Sequence, residues 1–308
     1  YHRNNSIFYD INKAIYYYSL AAKQYHIKAA LMLGDIYYKG EEVVKDINKA
    51  IHYLKIAAEQ NNPESQIILG LIYYKNEEIP RDIEKAIYYF KLAAKQNHKI
   101  AQMNLGVIYL DNMFVQRDIN KSIQYLSLAA DQNHIDALIA LGDIFYSGEY
   151  IPVDINKAIH YYQRASDQNN ALAQYNLGLI YTEGCHIDID AKKAIHFFEL
   201  AANQNYDRAQ YKLGMIYLDG KIVSKNIEKA INYLILAANQ RNPSSLYELG
   251  TIYEKGEIVP QDIKKAIHYY SIASEKKNSA SQYMLGLYYL EGFYIKKNIK
   301  KAMDLLEQ

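Results

Sequence analysis

Residues 29–61 read AALMLGDIYYKGEEVVKDINKAIHYLKIAAEQN, and this stretch decides the fold because its pattern returns along the whole chain. Its Leu33-Gly34 pair recurs as Leu69-Gly70, Leu105-Gly106, Leu141-Gly142, Leu177-Gly178, Leu213-Gly214, Leu249-Gly250 and Leu285-Gly286, each 36 residues after the last and with no insertion or deletion. An aromatic follows each glycine by three, as at Tyr37, Tyr73 and Phe145. A fixed period of this length marks a supersecondary unit that cannot bury its apolar face alone and has to stack on its neighbours.

Within one unit the spacing is helical. Ala30, Leu33, Gly34 and Tyr37 share one helix face, which predicts a helix A over 27–39. Ala14, Tyr17, Tyr18 and Ala21 do the same for a helix B over 10–24. Helix A is expected to end at Gly40, Gly148, Gly184, Gly220, Gly256 and Gly292, with Asn76 and Asn112 filling the column, since these residues tolerate a left-handed conformation. Asp10, Asp46, Asp82, Asp118, Asp154, Asp190 and Asp262, with Asn226 and Asn298, are expected N-caps of helix B. Lys rather than Glu stands three positions later, so no capping box forms. An aliphatic loop column (Val43, Ile79, Val115, Ile151, Ile187, Val223, Val259, Ile295) is expected to plug the end of each pair. A mid-helix glycine costs about 1 kcal/mol against alanine. Its unbroken recurrence at Gly34, Gly70, Gly106, Gly142, Gly178, Gly214, Gly250 and Gly286 predicts close approach of a neighbouring helix.

These residues resemble the Sel-one-like repeat, a relative of the tetratricopeptide repeat. The pattern is Ala-x-x-x-Leu-Gly-x-x-Tyr-x-x-Gly-x-x-Val at Ala29 to Val43, continuing as Asp-x-x-Lys-Ala-Ile-x-Tyr-x-x-x-Ala-Ala-x-Gln-Asn at Asp46 to Asn61. The resemblance implies an all-α, right-handed superhelical solenoid with helix A on the concave side, and an adaptor or scaffold role in protein complexes. Cysteine-rich members with a disulfide in each repeat are excluded by the lone Cys185. Some members join such arrays to other domains, kinases among them, so a regulatory repeat region of a larger protein is the alternative expectation. Tyr1 aligns with Tyr37, Asn4 with Gly40 and Ile7 with Val43. The expectation is therefore one array over 1–308, about eight and a half repeats cut mid-repeat at both ends.

Composition narrows the function. There are 35 basic and 34 acidic residues in 308, which argues against a strongly basic nucleic-acid binder. No apolar run approaches a membrane span, and no signal-peptide pattern or disulfide framework is present, so the expected location is cytoplasmic. Nine histidines raise a metal hypothesis. His52, His160, His196 and His268 share one helix B column, however, and neighbouring copies are about 8–10 Å apart in normal helix packing. Zinc needs donors at about 2.0–2.1 Å, so a solvent-facing column is the expectation. His26, His98 and His134 share a B-to-A loop column with Asn62 and Asn242 and are expected to be a polar turn. No Walker-type or Rossmann glycine pattern exists. We expect no catalytic residue, cofactor or metal in this chain.

Recognition is expected on helix A, at columns the core does not need. One column reads Asp35, Leu71, Val107, Asp143, Leu179 and Met215; another carries Tyr38, Tyr74 and Tyr146. A third changes from aliphatic to aromatic: Leu31, Ile67, Met103 and Ile139 give way to Tyr175, Tyr211, Tyr247 and Tyr283. The last four form a candidate ladder for a protein or peptide partner, or else packing residues usual in such repeats. Column 39 mixes Lys39 and Lys75 with Asp111, Glu183 and Glu291, which lacks the continuous basic track that nucleic acid requires.

Overall fold

The computed structural model describes residues 10–75, 77–113 and 115–307. Among them the chain forms 17 α-helices and no strand. The B series is α1 (Ile11–Lys23), α3 (Ile47–Glu59), α5 (Ile83–Lys95), α7 (Ile119–Asp131), α9 (Ile155–Ser166), α11 (Ala191–Asn203), α13 (Ile227–Asn239), α15 (Ile263–Glu275) and α17 (Ile299–Leu306). The A series is α2 (Ile27–Lys39), α4 (Pro63–Lys75), α6 (Lys99–Leu110), α8 (Ile135–Ser147), α10 (Ala171–Glu183), α12 (Asp207–Asp219), α14 (Pro243–Lys255) and α16 (Ser279–Glu291). The result is an all-α helical-repeat solenoid. It divides into two compact units, Tyr1–Val153 and Asp154–Gln308.

Each B helix starts as its N-cap predicts. The Asp46 carboxylate accepts the Lys49 backbone N–H at 2.9 Å, and the Asn226 side chain accepts that of Lys229 at 3.0 Å. The lysine in the capping-box position has its own partner. Lys85 Nζ lies 2.7 Å from the Asp82 carboxylate and 5.2 Å from the centroid of Tyr73. The Tyr73 ring in turn stacks on Tyr89, with centroids 5.9 Å apart and planes 3° from parallel. The same arrangement recurs at Asp118, Lys121, Tyr109 and Tyr125, and at Asp190, Lys193, Tyr181 and Phe197.

Helices α2, α8, α10, α12, α14 and α16 close on the expected glycines, at φ from 66° to 75°. Helix α6 differs. It closes on Asp111 in extended backbone (φ −75°, ψ 135°) rather than on a left-handed Asn112. Asn76, Tyr1, Asn4 and Ile7 lie outside the described residues. The B-to-A turns share a left-handed residue that residue spacing alone does not reveal. Tyr25, Asn61, Asn97, Asn133, Asn169, Asn205, Arg241 and Lys277 all take φ between 56° and 63°. Asn is the non-glycine residue best suited to that region, which explains five of the eight.

The repeated glycines are buried, but what they admit is a side chain. A Cβ on Gly34 would stand 2.5 Å from Leu54 Cγ, and one on Gly250 would stand 2.5 Å from Tyr270 Cε1. The close approach is therefore by the large B-helix residue of the same repeat; Leu54, Phe90, Leu126, Phe198, Leu234 and Tyr270 are all fully buried. The aliphatic loop column is half-buried, and Ile79, Val115, Val223, Val259 and Ile295 pack against the core clusters. A part-buried amide network joins successive repeats. Gln66 donates to the Asn61 side chain at 3.3 Å and accepts from Gln96 at 2.9 Å; Gln132 bonds to Gln102, and Gln240 to Gln210, both at 2.7 Å.

Candidate partner-binding surface

The A helices pack their Leu-Gly-Tyr face on their B partners, and the columns of Leu31, Asp35 and Tyr38 flank that face on the less buried side of the helix, its open face. These columns are only half free. Adjacent helices lie about 8–10 Å apart, so a long side chain on one A helix reaches the next. In the first unit Leu31, Tyr38 and Leu71 pack against the core cluster. Tyr74 is only 9% exposed, which corrects the expectation that it stands open to a partner. Asp35 is held by Lys39 at 2.7 Å. Val107 and Tyr146 are half-buried, and Asp143 is exposed.

In the second unit the tyrosine ladder is likewise shared between packing and exposure. Tyr175 lies 5.8 Å from the Phe198 ring and 5.3 Å from that of Tyr206, and Tyr247 lies 5.9 Å from Tyr270. Tyr211 and Met215 pack against the cluster of Leu246, Leu249 and Ile252 on α14, while Tyr175 and Leu179 pack against that of Ala209 and Leu213 on α12. Tyr283 keeps 56% of its surface open. Burial pushes the phenols of Tyr175 and Tyr211 up from their ordinary range. The sequence pattern could not separate the two roles because both act on the same residues at once.

Two polar groups on α14 complete this face. Glu248, half-buried, has its carboxyl pushed up first by desolvation and then by the charge of Asp219, with Lys255 opposing. Glu254 accepts hydrogen bonds from both Tyr270 and Tyr288, and the Tyr270 hydroxyl also lies 3.2 Å from that of Thr251. Burial drives both phenols far upward.

The histidine columns resolve into different roles. His52, His160, His196 and His268 are exposed on the B helices, and each ring lies against the aromatic that follows it. The loop column is the N-cap of helix A, more specific than the polar turn expected. His26 Nδ1 accepts the Ala29 N–H at 3.2 Å, and Asn62, Asn170, Asn242 and Asn278 make the equivalent bond. His98 and His134 occupy the position without that bond, and burial lowers the pKa of both. Cys185 is an exposed free thiol. Among the described residues no group of three or more His, Cys, Asp or Glu is placed to hold a metal ion, and no helix is long and apolar enough to cross a membrane.

The Sel1 repeat model matches nine consecutive segments, residues 2–26, 27–62, 63–98, 99–134, 135–170, 171–206, 207–242, 243–278 and 279–308. Among solved structures, a Sel1 repeat protein from Oxalobacter formigenes is 27% identical with a TM-score of 0.85, over 99% of this chain and 92% of its own. A protective antigen present in uropathogenic Escherichia coli, displaying an SLR fold, is 28% identical with a TM-score of 0.80 over 94% of this chain. The chain spans 62% of that antigen's length. No curated protein matches.

Proposed function

The chain belongs to the Sel1 repeat family, whose solenoid commonly serves protein–protein interaction, and we propose that it is a non-catalytic scaffold holding a peptide or partner protein on the open face of its A helices. The observation that carries this reading is the contrast between columns. The buried Leu-Gly frame is the same in every repeat, whereas the half-exposed column reads Asp35, Leu71, Val107, Asp143, Leu179 and Met215. A surface that reads a non-repeating partner varies in this way. Half-exposed tyrosine supplies large contact area at low conformational cost. The columns packing the seam between A helices also hold each contact residue in a fixed position, which limits the entropy lost on binding.

The test is affinity capture with wild type, with Leu179→Asp on the open face, and with Lys192→Glu on an exposed B-helix position as control. The reading expects a partner retained by wild type and by Lys192→Glu, and lost with Leu179→Asp. Equal retention by all three sinks it.

A further inference from the structure

The A helices of the second unit carry six carboxylates, Glu183, Asp207, Asp219, Glu248, Glu254 and Glu291, against three cations, Arg208, Lys212 and Lys255. Those of the first unit are balanced, with Asp35, Glu64, Asp136 and Asp143 against Lys28, Lys39, Lys75 and Lys99. The acidic excess thus belongs to the A helices that also bear the tyrosine ladder. Glu254 is consumed by Tyr270 and Tyr288, Asp207 by Asn242 at 2.7 Å, and Asp219 is partly met by exposed Lys221 at 3.3 Å. Among the described residues Glu248 makes no hydrogen bond or ion pair although it is half-buried, and desolvation, then the charge of Asp219, pushes its carboxyl up against the opposing charge of Lys255. Tyr211 shares α12 with Asp219 and packs against Leu246 and Leu249 of α14, the residues that bracket Glu248 in sequence; after burial, the charges of Glu248 and then Asp219 push its phenol up.

The molecule itself shows what such a set of groups holds. In repeat after repeat a lysine ammonium sits between a carboxylate and a tyrosine ring, as Lys265 does at 3.9 Å from Asp262 and 4.9 Å from the centroid of Tyr253. Cation–π attraction and a charge-assisted contact act together there. At Tyr211 a ring and carboxylates are available on the same helices, and among the described residues no ammonium lies within ion-pair distance of Glu248, Lys255 opposing its upward shift without forming an ion pair. A half-buried carboxylate without a partner is costly, and a cation brought by a ligand relieves that cost only in the complex.

We propose that the open A-helix face of the second unit accepts a segment containing lysine or arginine, with the cation lying against Tyr211 between Asp219 and Glu248 and its apolar neighbours on Met215 and Tyr247. This rests on the reading of the A-helix face as the docking surface and adds the chemistry of what docks. It also sets the direction of selectivity, since an acidic segment meets like charge on this face.

The experiment is fluorescence anisotropy on the whole chain with two labelled 12-residue probes, one alternating Arg and Leu, the other alternating Glu and Leu. The Arg-Leu probe should bind and weaken as salt rises, and the Glu-Leu probe should bind at least about tenfold more weakly. Glu248→Lys should weaken the Arg-Leu probe roughly tenfold, and Glu248→Gln, which leaves the shape of the side chain intact, should weaken it less but measurably. Circular dichroism confirms that both variants keep wild-type helicity. If both probes bind alike and Leu179→Asp weakens both, the docking face stands and the cation preference falls. If the Arg-Leu probe is indifferent to Glu248→Lys and to Leu179→Asp, it binds elsewhere and the inference falls with it.

Discussion

The Phe198 ring stands over Gly178 so closely that a methyl group built on the glycine would meet Cδ1 and Cε1 of the ring at 2.6 Å. Phe198 is itself fully buried, so it cannot swing out of the way into solvent. Gly178→Leu should therefore destabilise the second unit by overpacking, on the order of 1–3 kcal/mol or more, outweighing the roughly 1 kcal/mol of helix propensity it gains. Thermal melts read this directly, and an unchanged melting curve would contradict the packing role.

The left-handed turn residues separate into suited and unsuited choices. Lys277 and Arg241 take φ 60°, as does Asn97, but lack the short polar side chain that eases that conformation. Lys277→Asn should stabilise the chain by about 0.5–1 kcal/mol, and Asn97→Ala should destabilise it by about 1 kcal/mol. Urea midpoints that do not move in opposite directions would show that these turns are not strained.

Two buried serines give opposite expectations for the same substitution. Ser65 Oγ is buried without a hydrogen-bond partner in a column that is alanine in most repeats. Ser122 Oγ donates to the Gly106 carbonyl at 2.8 Å. Ser65→Ala should raise stability by about 1 kcal/mol, because it removes an unsatisfied polar group. Ser122→Ala should leave stability level or lower it by up to about 1 kcal/mol. Denaturant titration of the two variants distinguishes them.

Acid should loosen the B-helix starts. The Asp82 carboxyl is held below the usual carboxylate range first by the Lys85 side chain and then by its backbone N–H; Asp46, Asp154 and Asp190 are lowered first by the backbone N–H. A folded pKa below the unfolded value of about 3.9 means that the stabilisation is present above that value and is lost as pH falls through the folded one. Asp82→Asn keeps the cap acceptor and removes the titration. Its urea midpoint should fall less than wild type's between pH 5 and pH 2.5, and parallel curves would show that Asp82 does not contribute to the acid transition.

The frame of the fold was legible because it is repeated. A residue type found at one position eight times is either buried or capping, and the period of 36 separated the two helices without ambiguity. What escaped notice has physical reasons. The Asn61 column was visible as a pattern, but only backbone angles show that it is left-handed. The Gln66–Gln96 bond joins residues 30 apart whose meeting depends on how the turns place two helix ends. The open-face columns were harder still, because the distance to the next A helix decides whether Tyr74 is a contact or core. The sequence gives no measure of that distance.

The central claim is that a partner lies on the open A-helix face, and the abundance of tyrosine provides a direct reading of it. Hydroxyl-radical footprinting of the captured complex compares Tyr211, Tyr247 and Tyr283 on that face with Tyr88, which is 57% exposed on a B helix. The account predicts protection of the first three and unchanged labelling of Tyr88. Protection of Tyr88, with Tyr211, Tyr247 and Tyr283 labelled as in the free chain, would contradict it.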